Sequence, residues 1–186
     1  MNKPTKILII AFLALILTIT ISSRIQNTKT DLADYAERRT KYASEFLPEL
    51  TDLPEYKEID YKYHLKELWM FAAATIRLTV TYDKETYESE KKKLEENSYL
   101  THPVRQSGKT NYTIPAPEFT VGTHTFKVLS ANDQSYPKSI SITATSDQEK
   151  TISYLYFHNP DQDYISESTE NTPMQKLIEE YFPYNW

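Results

Sequence analysis

Five oxygen-bearing side chains near the end of the chain stand in an order that a hard cation could use. Asn159, Asp161, Asp163, Glu167 and Glu170 occupy positions 1, 3, 5, 9 and 12 of a loop of the EF-hand kind. The same loop lacks the glycine of its tight turn, because Tyr164 stands at position 6. Pro160 stiffens position 2, and a strand rather than a helix is predicted to lead in. An acidic, solvated connection between the last strand and the last helix accounts for the same residues, and the loop is expected not to bind calcium with useful affinity. Gly108-Lys109-Thr110 ends as a phosphate-binding loop ends, but Pro103 occupies the place of its first glycine, so the stretch reads as a polar loop. His64, His102, His124 and His158 are scattered, and no cysteine is present to complete a zinc site. Gly108 and Gly122 are the only glycines, which excludes glycine-rich phosphate cradles and nucleophile elbows. No catalytic, cofactor-binding or metal residue is assigned from these patterns, and no cofactor is expected.

Fifteen tyrosines are the remaining chemical resource. Tyr61, Tyr63, Tyr154 and Tyr156 lie on predicted strands and, if exposed, could stack against sugar faces. Alternation places Tyr61 and Tyr63 on the side of Ile59 and Leu65, which is the pattern of a core face.

The elements that would position these residues can be read in order. Leu32, Tyr35, Ala36, Arg39, Tyr42, Ala43 and Phe46 recur at helical spacing, which predicts a juxtamembrane helix over 31–46 that packs on the domain or carries it as a stalk. Ile59 to Leu65 alternates as a half-buried strand and is expected to run on, past a bulge near Glu67, to Phe71. Alanines 72–74 are taken as the turn into a second strand through Ile76, Leu78, Val80 and Tyr82. Asp83 caps a charged helix over 84–97 whose buried side is Tyr87, Leu94 and the arm of Lys91. Residues 98–117 read as a long loop. A hairpin follows with its turn near Gly122, then a pair of strands over 139–145 and 151–158. Thr172-Pro173-Met174-Gln175 is a capping box that opens a helix with Leu177, Ile178, Tyr181 and Phe182 on one side. The sum is an α+β domain with an antiparallel sheet and helices mainly on one face.

Ahead of all this, Ile7 to Ser23 holds no charged residue. As a helix it would reach roughly 25 Å, near the lower limit for crossing a core about 30 Å thick. Lys3 and Lys6 precede it and Arg24 follows, which favours a cytoplasmic start and an exported remainder. No small-residue cleavage site follows the apolar run, so a signal anchor over 1–25 is expected, with a cleaved and secreted chain as the alternative. Lys3 and Lys6 are the only charges in residues 1–23, so the remainder carries 19 basic against 26 acidic residues, a formal charge of −7. A nucleic-acid partner is disfavoured. The absence of cysteine in an exported chain suggests a Gram-positive bacterial protein.

The segments Glu58 to Tyr63, Leu78 to Glu96 with Thr81-Tyr82-Asp83 and Lys91-Lys92-Lys93-Leu94-Glu95-Glu96, Phe126 to Leu129 and Ile152 to Phe157 resemble an uncharacterised family of exported or membrane-anchored proteins of Gram-positive gut bacteria. The likeness covers roughly residues 46–182. It implies no activity and supplies no site residues. The expectation is therefore a membrane-tethered, extracytoplasmic, non-enzymatic domain: anchor 1–25, juxtamembrane helix or stalk 26–50, α+β domain 51–186. It would sit at the cell membrane by residues 7–23 and meet a protein or envelope partner. A glycan-binding domain using the tyrosines above is the alternative, and a carboxylate-dependent hydrolase the third reading.

Overall fold

A computed structural model describes residues 26–42, 45–68, 71–96, 118–131, 139–158 and 172–186. The apolar stretch 7–23, the loop 98–117 with Gly108-Lys109-Thr110 and His102, and the acidic loop 159–170 lie outside the described residues. Among the described residues no helix is long and apolar enough to cross a membrane, and no cluster of histidine and carboxylate side chains could hold a metal ion.

The chain folds as α+β around one antiparallel sheet of seven strands: β1 (Gln26–Lys29), β2 (Glu58–Leu68), β3 (Phe71–Thr81), β4 (Glu118–Val121), β5 (His124–Ala131), β6 (Ser139–Ser146) and β7 (Thr151–His158). Their spatial order is β1-β2-β3-β7-β6-β5-β4. The hairpin of β2 and β3 and the meander of β4 to β7 are thus joined where β3 pairs with β7. Among the described residues three α-helices accompany the sheet: α1 (Tyr35–Tyr42), α2 (Lys84–Glu96) and α3 (Thr172–Tyr181).

Alternation along β7 divides the helices between the two faces. Ile152, Tyr154 and Tyr156 join the buried cluster of Tyr35 and Leu47, from the segment around α1, and Tyr87 of α2. Leu155 and Phe157 join Met174, Leu177 and Ile178 of α3. Two helices therefore share one face and α3 takes the other, where helices mainly on one face were expected. The meander has an aliphatic inner surface of its own, Val128, Ile140 and Ile142, which needs a second cover.

Each helix layer covers half of its face. One row of paired residues crosses the α1/α2 face as Tyr61, Leu78, Tyr154, Thr143, Lys127, Glu118: apolar and covered at the β2 end, polar at the β4 end. The opposite face reads Lys62, Arg77, Leu155, Ile142, Val128, polar at the β2 end and apolar under α3.

Several expectations are revised. Strand β2 runs without a bulge to Leu68, and the chain reverses between Leu68 and Phe71. Alanines 72–74 are strand residues paired with Glu67, Lys66 and Leu65, not a turn. The first helix is shorter than 31–46: Asp31 caps a 3-10 turn, Leu32–Asp34, by accepting from Ala33 N, and α1 ends at Tyr42. Strand β1 pairs with β2, and Tyr35 and Leu47 are buried against the sheet, as a segment that packs on the domain requires. Asp83 does cap α2, accepting both Thr86 N and Thr86 Oγ1, and these bonds hold its carboxyl below the usual range. Gly122 takes a φ of +56° in the two-residue turn between Val121 and His124, where that conformation favours glycine.

Candidate functional site

The polar end of the α1/α2 face forms the floor of a groove beside α2. On the floor Lys127 pairs with Thr143, Thr125 with Thr145, and Glu118 with Lys127. These side chains share one face because strand alternation sends Phe126, Val128, Ile142 and Ala144 to the other, into the core under α3. Lys91, Leu94 and Glu95 of α2 form one wall, and Thr123, Asp147 and Gln148 close the end. The enclosed volume is about 460 Å³, within the range of small-molecule and peptide clefts.

Both of its lysines are paired locally. Lys91 Nζ and the Tyr87 hydroxyl both donate to Asp147 Oδ1, at 2.7 and 2.6 Å. These two bonds, the lysine's first, hold the Asp147 carboxyl below its usual range, and the bond to Asp147 raises Lys91. Burial, and then the bond to Asp147, raises the Tyr87 phenol. Lys127 lies 3.5 Å from Glu118. The groove thus offers threonine hydroxyls, two neutralised lysine arms and carboxylate acceptors, with no aromatic ring in its lining. Such a surface can hydrogen-bond a polar chain in both directions. Its best-tied carboxylate, Asp147, is held ionised, the reverse of what a general acid needs.

The residues singled out from sequence lie elsewhere. Tyr61, Tyr63, Tyr154 and Tyr156 are 1%, 2%, 8% and 7% exposed, inside the cluster with Tyr35 and Ile76, and present no face to a sugar. His64 lies on β2 with Nδ1 3.0 Å from Thr28 Oγ1. His158 is at the end of β7 near the Tyr42 ring. His124 is fully buried on the α3 face. The structure does not bring the three together.

Sequence reasoning missed the groove because α2, the β4 to β6 strands and residues 147–148 each contribute a part, and no part is a motif. A signal was nevertheless there: Thr125, Lys127, Thr143 and Thr145 are polar at alternate positions of two strands that pair, which marks a face left unpaired with any helix. A second polar stripe was also missed. Arg77 of β3 is buried: Nη2 is 2.7 Å from Asp60 Oδ2, Nη1 donates to Thr79 Oγ1 at 3.2 Å, and the ring of Tyr184 lies 4.3 Å from the guanidinium carbon. Thr79 and Ser153 hydroxyls continue the stripe at 2.8 Å. Comparison of the chain with protein families, curated proteins and solved structures gave no significant match.

Proposed function

We propose that the chain is a membrane-tethered interaction domain, held at the cell membrane by residues 7–23 with the sheet domain outside, and that the groove beside α2 receives a polar peptide segment of a partner. The observation that carries this reading is the interrupted row of the α1/α2 face. Tyr61, Leu78 and Tyr154 are covered at one end, whereas Thr143, Lys127 and Glu118 at the other end line a concave cleft. Peptide main chain presents alternating donors and acceptors, and threonine hydroxyls, carboxylates and lysine ammonium groups can meet both. The local pairing of Lys91 and Lys127 leaves no positive field for a polyanion. The burial of Tyr61, Tyr63, Tyr154 and Tyr156 favours this reading over the glycan binder.

The lack of cysteine makes the test specific. A photo-crosslinker attached at Thr125→Cys, on the groove floor, is expected to capture a discrete partner from the cells of origin. The same probe at Lys92→Cys, exposed on α2 and outside the lining, is expected to capture none. Equal labelling from both positions, or none from either, would defeat the groove as a binding surface.

A further inference from the structure

Residues 183–186 reach across the α3 face, with Tyr184 over Arg77 of β3 and Trp186 against Gly122 and Phe126, and close over a buried histidine. The rings of Trp186 and Tyr184 stand edge-on to His124 at 5.2 and 6.2 Å between centroids, and Trp186 also meets Phe126 at 5.0 Å. Gly122 makes the seat, since a Cβ there would stand 1.9 Å from the carbonyl oxygen of Trp186. Among the described residues no backbone hydrogen bond ties 183–186 to a strand. Trp186 Nε1 donates instead to Phe182 O, at the end of its own helix. Ring contacts hold the segment, and the exposed Pro183 stands where it leaves the helix.

The hydrogen bonds around His124 run in one direction. Thr123 Oγ1 donates its one proton to Glu149 Oε1 at 3.0 Å, so it accepts from the imidazole at Nδ1, 3.1 Å away. Nε2 is then the bare nitrogen and accepts from Thr151 Oγ1 at 3.1 Å. The relay from Thr151 through His124 and Thr123 to Glu149 is complete for neutral imidazole with its proton on Nδ1. A second proton, on Nε2, forces Thr151 to turn from donor to acceptor, and it places a cation in a site shielded from water. The Glu149 carboxylate, 4.0 Å from Nε2, favours that cation. Burial outweighs it and keeps the imidazole below its ordinary range. The other charges facing this end are Arg77, Asp60 and Glu58, which act on Tyr184, and Arg77 is already paired with Asp60.

We propose that residues 183–186 form a proton-operated latch: when His124 takes up a second proton the relay breaks, Tyr184 and Trp186 leave the ring, and the Arg77, Thr79 and Ser153 stripe becomes accessible. The imidazolium must be hydrated, and the latch is the cover that can move without breaking sheet hydrogen bonds. Because the folded histidine titrates below its free value of about 6.5, the closed form is favoured above that pH and weakens as the pH falls through the lower, folded value.

The test uses the full chain in detergent with Trp69→Phe, which leaves Trp186 as the single tryptophan. Acrylamide quenching of Trp186 is expected to rise severalfold between pH 8 and pH 4.5, reversibly and with unchanged far-ultraviolet circular dichroism. Glu149→Gln, at an exposed residue, should move the midpoint to lower pH, and His124→Gln should abolish the transition. Quenching that stays flat in the parent overturns the latch, as does a transition that survives His124→Gln or keeps its midpoint in Glu149→Gln.

Discussion

The two halves of the core are built from different materials. Under α1 and α2 the sheet buries seven tyrosines, at positions 35, 61, 63, 82, 87, 154 and 156, with Ile76, Leu78 and Val80 between them. Under α3 it buries Phe119, Phe126, Phe157 and Phe182 with Ile140, Ile142, Met174, Leu177 and Ile178, and, among the described residues, one tyrosine, Tyr181. A hydrocarbon core asks only for shape. A tyrosine core also asks that each hydroxyl find a partner, and the surrounding segments supply them unevenly. Tyr35 donates to Pro48 O at 2.7 Å, Tyr87 to Asp147 at 2.6 Å, and Tyr63 lies 3.4 Å from the Tyr42 hydroxyl. Among the described residues the hydroxyls of Tyr61 and Tyr82 find none. The first half is therefore specified by polar detail, the second by volume.

Alkali should separate the halves most sharply. Burial raises the phenols of Tyr35, Tyr61, Tyr63, Tyr82 and Tyr154 above the ordinary tyrosine range. A raised acid keeps the folded state favoured below its unfolded value of about 10 and loses that advantage as pH rises toward the folded one. The fold is expected to hold to about pH 10 and then to unfold cooperatively, with phenolate appearing in the same transition by ultraviolet difference spectroscopy. Phenolate appearing gradually, well ahead of unfolding, would mean that these rings are open to water.

The next largest effect belongs to the other half. Phe157 is fully buried with the Tyr181 ring 4.8 Å away. Phe157→Ala should cost about 3–5 kcal/mol in urea denaturation, the transfer of the ring plus the cavity it leaves. It should leave the alkaline transition tyrosine-driven. A cost under about 1 kcal/mol would show that α3 collapses into the gap and that this half is no tighter than the first.

The same contrast explains what could be read from the sequence. Tyr61 and Tyr63 sit where the alternation of β2 puts them, and Leu177, Ile178, Tyr181 and Phe182 form the helix face that their spacing draws, because both patterns are local. The burial of Arg77 is not legible locally, because the alternation of Thr75, Arg77, Thr79 and Thr81 distinguishes two faces without telling which is covered. The cover is Tyr184, more than a hundred residues later. Strand β1 has no apolar period, and its register is set by backbone pairing to Tyr63 through Lys66. Alanines 72–74 suggested a turn by their size, yet Ala74 is opposite His158 on β7, inside the sheet. The groove arises from three such long-range placements together, so no window of sequence contains it.

The finest test lies within the tyrosine half and turns on one oxygen atom in each of two touching rings. Tyr35 and Tyr61 meet edge to face at 5.4 Å between centroids, and both are buried. Tyr35→Phe keeps the ring contact but leaves the Pro48 carbonyl without its donor, so it should cost about 1 kcal/mol, the net worth of such a bond. Tyr61→Phe removes a hydroxyl that has no partner and so relieves a desolvated group, which makes the substitution neutral or stabilising. Because the rings touch, the double variant should depart from the sum of the two, and equilibrium denaturation of all three closes the cycle. If Tyr61→Phe costs as much as Tyr35→Phe, then the Tyr61 hydroxyl is bonded in solution. Arg38 Nε is the neighbour to suspect, since its charge acts on Tyr61 and it too is buried without a partner. In that event Arg38→Met should abolish the cost of Tyr61→Phe and leave that of Tyr35→Phe unchanged.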